Sequence, residues 1–176
     1  MLISEQYKAQ ITQVHAETPG WGTTGRNFAP LIQRLVQDFQ PFNILDYGCG
    51  KQTLARSLPQ YRIKGYDPGV PGVQDPPEPH ELVVCTDVLE HIEPDCLDDV
   101  LDDLQRITKK VLFVDVGIVP AIQILPDGRN AHLIVEPARW WTNKLWDRFN
   151  LLSITTSAND VQGIFSAVNP KGNGAK

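Results

Sequence analysis

The stretch FNILDYGCG, residues 42–50, is the most informative segment of this chain for its fold. It is a short apolar segment that closes on two glycines one residue apart, and two such glycines permit a tight turn and close approach of a ligand to the backbone. This pattern is typical of the first strand of a nucleotide-binding α/β domain, and it also occurs at ordinary strand–helix turns. The neighbouring segments therefore have to show whether this is a nucleotide-binding turn or an ordinary strand–helix turn.

Strands and helices alternate on both sides of this stretch. An amphipathic helix precedes it, with apolar residues at helical spacing from Phe28 to Phe39, and a second one with a single apolar face lies at 97–107. The central strands are apolar along their whole length, which is typical of a mostly parallel sheet covered on both faces. Further strands are predicted at 61–67, 81–87 and 111–116, with a closing hairpin of 151–157 and 161–168.

Composition restricts the class of protein. A chain of 176 residues has the size of one domain, and we expect a single domain over 1–170 with an N-terminal helical or lid segment at 1–40 and a flexible tail at 171–176. No apolar run is long enough for a membrane helix, and a net charge of −5 disfavours a large nucleic-acid surface. Three cysteines without CxxC spacing favour a reducing, cytoplasmic location and argue against structural zinc.

Acidic residues stand where the predicted parallel strands end. Ligands of such sheets bind beyond the carboxyl ends of the strands, so these residues are the first candidates for a site. Asp46 lies at the end of the first strand, and Asp67 ends the second, 19 positions after Gly48. An acid at this spacing can accept hydrogen bonds from both hydroxyls of a ribose. Its alternative role is to form a turn before Pro68.

The segments ILDYGCG, GYD, LVVCTDVLEHI (82–92) and VLFVDV (111–116) together resemble the class I S-adenosylmethionine-dependent methyltransferases. The phrase VLEHI after a buried strand is particularly similar to members that methylate small molecules, lipids and quinone-like compounds. The resemblance implies a Rossmann-like, doubly wound, mostly parallel sheet of seven strands with an antiparallel last strand. It also implies S-adenosylmethionine as the cofactor.

The resemblance assigns cofactor contacts to the strand ends. It places Asp46 near the amino group of the cofactor, Asp67 on the ribose, and Asp87 beside the methionine portion. Glu90 and His91 match a pair usually near the site, and they could equally cap the turn that follows. The full set of cofactor-binding residues is Asp46, Tyr47, Gly48, Cys49, Gly50, Asp67, Pro68, Thr86, Asp87 and Val88.

Two features depart from the family pattern. Gln52 stands where a third glycine is usual. Only residues 68–80 separate Asp67 from the next strand, and the family usually fits a helix, a strand and another helix there. Because five of the 14 prolines lie at 68–79, we expect a shortened sheet and a differently built adenine pocket.

The long loop at 117–136 lies where this family usually receives the methyl acceptor. We predict His132 as the general base and Asp87 as a second catalytic residue, with no metal ion. Alternatively, the polar residues of the loop hydrogen-bond to the loop itself. In the same alternative, the tryptophans pack in the protein without contacting a ligand. The candidate substrate-binding residues are Trp21, Arg129, Asn130 and Trp141.

We therefore predict a methyltransferase that acts on a small molecule or on an accessible group of a larger substrate. One alternative is a non-catalytic relative that serves as a binding or regulatory module. A nicotinamide-dependent reductase is less favoured, because Thr53 stands where its fingerprint needs a small residue and Asp46 precedes the first glycine. The sequence leaves the oligomeric state open.

Overall fold

A computed structural model describes residues 1–156 and 162–170 of the chain. The predicted tail at 171–176 and the turn of the hairpin lie outside the described residues. The helices are α1 (Glu5–Glu17), α2 (Ala29–Phe39), α3 (Thr53–Ser57), α4 (Leu97–Ile107) and α5 (Ala138–Trp146), with 3₁₀ turns at Thr24–Phe28, Leu89–His91 and Pro94–Cys96. The strands are β1 (Ile44–Tyr47), β2 (Ile63–Tyr66), β3 (His80–Thr86), β4 (Thr108–Gly117), β5 (Asn150–Thr156) and β6 (Gln162–Val168).

The strands form one mixed sheet in the order β2-β1-β3-β4-β6-β5. The first four strands are parallel, and β6 runs antiparallel to both β4 and β5. This arrangement confirms the predicted Rossmann-like sheet with its antiparallel last strand. Within the described residues, no helix is both long and apolar enough to cross a bilayer.

Helices cover both faces of the sheet because alternate strand residues point to opposite sides. Leu45 and Val83 belong to the core under α4 and α5, whereas their neighbours Ile44 and Val84 belong to the core under α2 and α3. The strands are therefore buried on both sides, which explains why their sequences are continuously apolar.

The described residues contain six strands, so the count of seven implied by the resemblance is wrong, while the predicted shortening is confirmed. The interval from Asp67 to Pro79 contains turns and irregular backbone, and β3 follows β2 without an intervening helix or strand. Its prolines lack the backbone N–H that a ladder or a helix interior needs. The sheet consequently ends at β2.

Helix α1 packs over the carboxyl end of the sheet. Ser4 caps it by accepting a hydrogen bond from Tyr7 N at 3.1 Å, and Ser4 Oγ donates to Glu93 at 2.8 Å. The apolar side of the helix contacts the long loop at 117–136 in a small core of its own. This core consists of Tyr7, Ile11, Val14, Leu125 and Ala131.

The structure corrects the expectation that Trp141 contacts a substrate. Trp141 is 0 % exposed and packs in the main core with Phe149 and Phe165, whereas Trp146 on the same helix is 64 % exposed. Position 141 shares the buried side of α5 with Leu145, four residues on, as the helical period requires. Trp141 therefore contributes to stability and not to the site.

This difference predicts unequal effects of two substitutions in α5. Trp141→Ala should lower the free energy of unfolding by about 3–5 kcal/mol, because it removes a fully buried indole and leaves a cavity. Trp146→Ala should change it by about 0.5 kcal/mol or less. Urea unfolding followed by circular dichroism measures both. Equal losses for the two variants would contradict this assignment.

Candidate functional site

A cavity lies where β1, β2 and β3 end, and α1, the segment 20–25 and the long loop close it. It holds about 1170 Å³ of empty space, part of which is open to solvent. Most of the predicted cofactor residues line it, as expected for neighbouring carboxyl ends of parallel strands. The predicted residues at the cavity are Trp21, Asp46, Tyr47, Gly48, Cys49, Asp67, Pro68, Thr86, Asp87, Val88 and His132.

Gly50 does not line the cavity but contacts the N-terminal segment. Its φ is +47°, and a Cβ there would lie 2.5 Å from Gly22 Cα. Lys51 N donates a hydrogen bond to Gly22 O at 2.8 Å, so the two backbones are held together. Gly50 therefore holds the N-terminal segment in place, and its expected contact with the cofactor stays a prediction. Gln52 has a φ of +54° and also stays outside the cavity lining.

Asp67 is fixed by two backbone amides. It is 7 % exposed, and its carboxylate oxygens accept hydrogen bonds from Gly50 N at 3.0 Å and Gly69 N at 2.9 Å. His15 Nε2 lies 3.8 Å from its Oδ2. Burial lowers the pKa of His15, which favours the neutral imidazole. A carboxylate oxygen can accept more than one hydrogen bond, so both oxygens keep acceptor capacity toward the cavity.

Asp46 adds a second buried carboxyl at the end of β1. It is 3 % exposed, and burial, together with the charge of Asp67, raises the pKa of Asp46 to about 7. Asp87 supplies a third carboxyl at the end of β3. Among the described residues that line the cavity there is neither lysine nor arginine. Among these lining residues, the only possible cationic partners of the three carboxyls are therefore the histidines His15, His91 and His132.

Asp87 adopts a strained backbone conformation at the end of β3. Its φ is +58°, which is uncommon for a residue other than glycine. Its Oδ2 accepts a hydrogen bond from Thr24 Oγ1 at 2.7 Å, and its Oδ1 lies 3.8 Å from His91 Nε2. Burial alone would raise the pKa of Asp87, but the contacts with His91 and Thr24 lower it on balance. The side chain is therefore held as a carboxylate toward the cavity.

Aromatic rings form the other end of the cavity. The Trp21 and His91 ring centroids are 5.0 Å apart, and those of His91 and His132 are 4.9 Å apart. His132 Nδ1 lies 2.6 Å from Val119 O, and burial lowers the pKa of His132. Because a carbonyl oxygen only accepts, Nδ1 carries the proton and Nε2 bears the free lone pair.

Arg129 and Asn130 build the long loop instead of lining the cavity. Asn130 Oδ1 accepts hydrogen bonds from Ala121 N at 3.0 Å and His132 N at 2.9 Å. Arg129 pairs with Asp127 at 2.7 Å and lies over the Tyr7 ring. The alternative of a loop held by its own hydrogen bonds thus describes these two residues, and Asn130 positions His132 by accepting from its backbone N–H.

Besides Tyr66, which directly precedes Asp67, sequence reasoning missed four polar or aromatic residues at the cavity. Tyr7 and His15 belong to α1, whose weak periodicity carries no functional signal, and their contacts depend on how α1 docks. Gln123 belongs to the long loop, where polar residues are frequent. Thr24 could have been found as a hydroxyl in the Gly- and Thr-rich segment before α2. The missed residues are Tyr7, His15, Thr24 and Gln123.

A family model for the methyltransferase domain matches residues 21–156, which is well over half of the chain. The chain belongs to this family. The match confirms the resemblance inferred from the strand ends, and it covers the glycine turn, Asp67 and the VLEHI segment. No curated protein matches this methyltransferase by sequence.

Solved structures share the fold of this chain. One is the 1,6-didemethyltoxoflavin-N1-methyltransferase of Burkholderia thailandensis, which was solved with 1,6-didemethyltoxoflavin and S-adenosylhomocysteine. Its sequence is 15 % identical to this chain. The alignment covers 93 % of this chain and 89 % of that one, with a TM-score of 0.68. The magnesium protoporphyrin IX methyltransferase of Synechocystis PCC 6803, solved with S-adenosylhomocysteine, is 14 % identical over 93 % and 86 % of the two chains, with a TM-score of 0.60. At these identities the likeness establishes the fold.

The contact between Gly22 and Gly50 gives a second prediction. Gly50→Ala should lower the free energy of unfolding by about 1–3 kcal/mol, because a Cβ would clash with the Gly22 backbone and strain a positive φ. Gly20→Ala is the matched control in the same segment, since a Cβ at Gly20 meets no atom within 4 Å. Thermal unfolding measures both variants. A Gly50→Ala protein as stable as the control would show that the two backbones are not in contact.

Proposed function

We propose that this methyltransferase transfers a methyl group from S-adenosylmethionine to a small molecule. The observation that carries the proposal is the negative cavity. Three carboxyls, Asp46, Asp67 and Asp87, line it, and the cavity residues described include no lysine or arginine. A cofactor with a sulfonium and an amino group suits such a site, because its positive charges balance the carboxylates. A dinucleotide with an anionic pyrophosphate does not suit it.

The residues at the strand ends have the chemistry to hold this cofactor. Asp67 has free acceptor capacity for the two ribose hydroxyls, and Asp46 offers a carboxylate for the amino group. When bound, S-adenosylmethionine supplies an electrophilic methyl group. The other proposed contacts are Tyr47, Gly48, Cys49, Pro68, Thr86 and Val88.

His132 and Asp87 are the proposed catalytic residues at the acceptor end. The bond from His132 Nδ1 to Val119 O leaves Nε2 as the ring nitrogen that can take a proton from an acceptor. Asp87 lies 3.8 Å from His91, which contacts His132 through its ring. Trp21 packs against His91 and narrows access for water and for the acceptor.

The closure of the cavity favours a small acceptor over a large one. Helix α1 and the long loop share a core across the end of the sheet, and this packing covers part of the cavity that His132 lines. The three cysteines are all buried and unpaired, which suits a cytoplasmic location.

Labelled methyl transfer tests the proposed function. The purified chain is incubated with S-adenosylmethionine carrying a deuterated methyl group and with a small-molecule extract, and mass spectrometry then detects labelled products. Calorimetry with S-adenosylmethionine and S-adenosylhomocysteine measures binding separately. Failure of both ligands to bind at millimolar concentration would overturn the proposal. Tight binding without any labelled product would favour the non-catalytic module instead.

Asp67 gives a third prediction. Asp67→Asn should weaken the binding of S-adenosylmethionine by about tenfold or more, because the ribose hydroxyls lose a charged acceptor. Asp75→Asn is the matched control, since Asp75 is an exposed acid of the next turn outside the cavity lining. Calorimetry at constant pH compares the two variants. Equal affinities would remove Asp67 from the cofactor site.

The pKa of Asp46 gives a fourth prediction, for pH dependence. This carboxyl faces Asp67 and the thiols of Cys49 and Cys85, with burial raising its pKa to about 7. A cationic ligand favours the carboxylate, so binding near pH 6 should release a proton and affinity should rise between pH 6 and 8. Calorimetry in buffers of different ionisation enthalpy counts the protons. In Asp46→Asn both effects should disappear, and a wild-type-like pH profile in that variant would contradict the assignment.

A further inference from the structure

Four side chains with metal-binding chemistry meet at the acceptor end of the cavity. Asp87, Glu90 and His91 follow β3, and His132 comes from the long loop. One potential ligand atom of each lies within 4.8 Å of the others. Two imidazoles and two carboxylates from separate segments therefore converge on a single point.

Both imidazoles are oriented by backbone carbonyls. His91 Nδ1 lies 2.8 Å from Ala131 O, and His132 Nδ1 lies 2.6 Å from Val119 O. Each Nδ1 donates to its carbonyl, so Nε2 is the nitrogen left with a lone pair for an ion. Histidines that bind metals in proteins nearly always donate their other ring N–H in this way, because the bond fixes the ring and raises its basicity.

Glu90 provides a separate indication of a cation site. Its side chain is 0 % exposed, and its Oε1 accepts a hydrogen bond from Gly117 N. Its Oε2 is buried and has no hydrogen-bond partner among the described residues. A buried carboxylate oxygen without a partner is costly, and a bound cation is one of the few groups that removes this cost.

We propose that Asp87, Glu90, His91 and His132 bind a divalent first-row transition ion such as Mn²⁺, Fe²⁺ or Zn²⁺. Imidazole with carboxylate is the mixed ligand set that these ions accept, whereas Mg²⁺ and Ca²⁺ prefer oxygen alone. Ligands on opposite sides of an octahedral ion are about 4.2 Å apart for bonds of about 2.1 Å. The four candidate atoms lie within 4.8 Å of one another, so coordination requires the side chains to move inward by about 0.6 Å or more.

The ion would use the same His132 lone pair as the general-base role, so the two roles exclude each other. An ion held there would lie at the cavity, which Asp87, His91 and His132 line, and it would lower the pKa of a coordinated hydroxyl. If the proposed function holds, on which this step rests, the acceptor is an oxygen compound that binds the ion directly, and its hydroxyl proton is released to solvent on coordination. The acceptor oxygen then forms a bond to the methyl carbon as the bond from that carbon to sulfur breaks, which leaves S-adenosylhomocysteine. Methylation would then be lost on removal of the metal.

Calorimetry on the chelator-treated full chain tests the site with MnCl₂ and ZnCl₂. One ion should bind per chain, and Glu90→Gln and His132→Ala should each weaken binding by about tenfold or more. His80→Asn is the matched control, because His80 begins β3 and lies outside the cluster. Circular dichroism melts in chelator show that each variant folds. Mn²⁺ electron paramagnetic resonance gives an independent reading of the bound ion.

The outcomes separate the metal proposal from the proposed function. No ion binding, or ion binding that neither variant weakens, overturns the metal site. If S-adenosylhomocysteine still binds in either case, the proposed function stands without it. If Glu90→Gln does not fold, His132→Ala and Asp87→Asn decide the question, since both side chains are partly exposed. Full methylation activity after removal of all metal would overturn the proposal that the acceptor binds the ion.

Discussion

The close approach of the backbones at Gly22 and Gly50 is the contact on which the site depends. It places the N-terminal segment directly on the turn after β1, and Lys51 reinforces it by donating from Nζ to the carbonyls of Thr18 and Pro19 at 2.8 and 2.9 Å. Trp21 reaches the cavity because its neighbour Gly22 is held there. Asp67 then binds the amide of Gly50 and joins the ends of β1 and β2 to the same unit.

The fold and the cofactor end of the site could be predicted because they depend on local patterns. The apolar strands, the glycine turn and the acids at strand ends are visible in the sequence, and parallel pairing then brings Asp46 and Asp67 together. The acceptor end was harder to predict. His15 and Arg129 take their positions from how α1 and the long loop dock, and a side chain in a loop can equally line a cavity or hold the loop together.

The charged cavity has a cost in stability. Asp46 has a pKa of about 7 in the folded chain against an ordinary value of 3.8, so the folded state binds its proton more tightly than the unfolded state does. The resulting stabilisation is fully present below the ordinary pKa and is lost as the pH rises through about 7. A cationic ligand that binds beside the carboxylate restores stability at neutral pH. Residues kept for function thus lower the stability of the unliganded chain.

The proline-rich segment after β2 also affects how copies of the chain behave toward one another. The missing strand leaves β2 at the sheet edge, and an open edge can pair with a strand of another molecule. Strand β2 is only four residues long, and five prolines follow between 68 and 79. Short edge strands and prolines both discourage such pairing. The segment that shortens the sheet therefore also protects the newly exposed edge against aggregation.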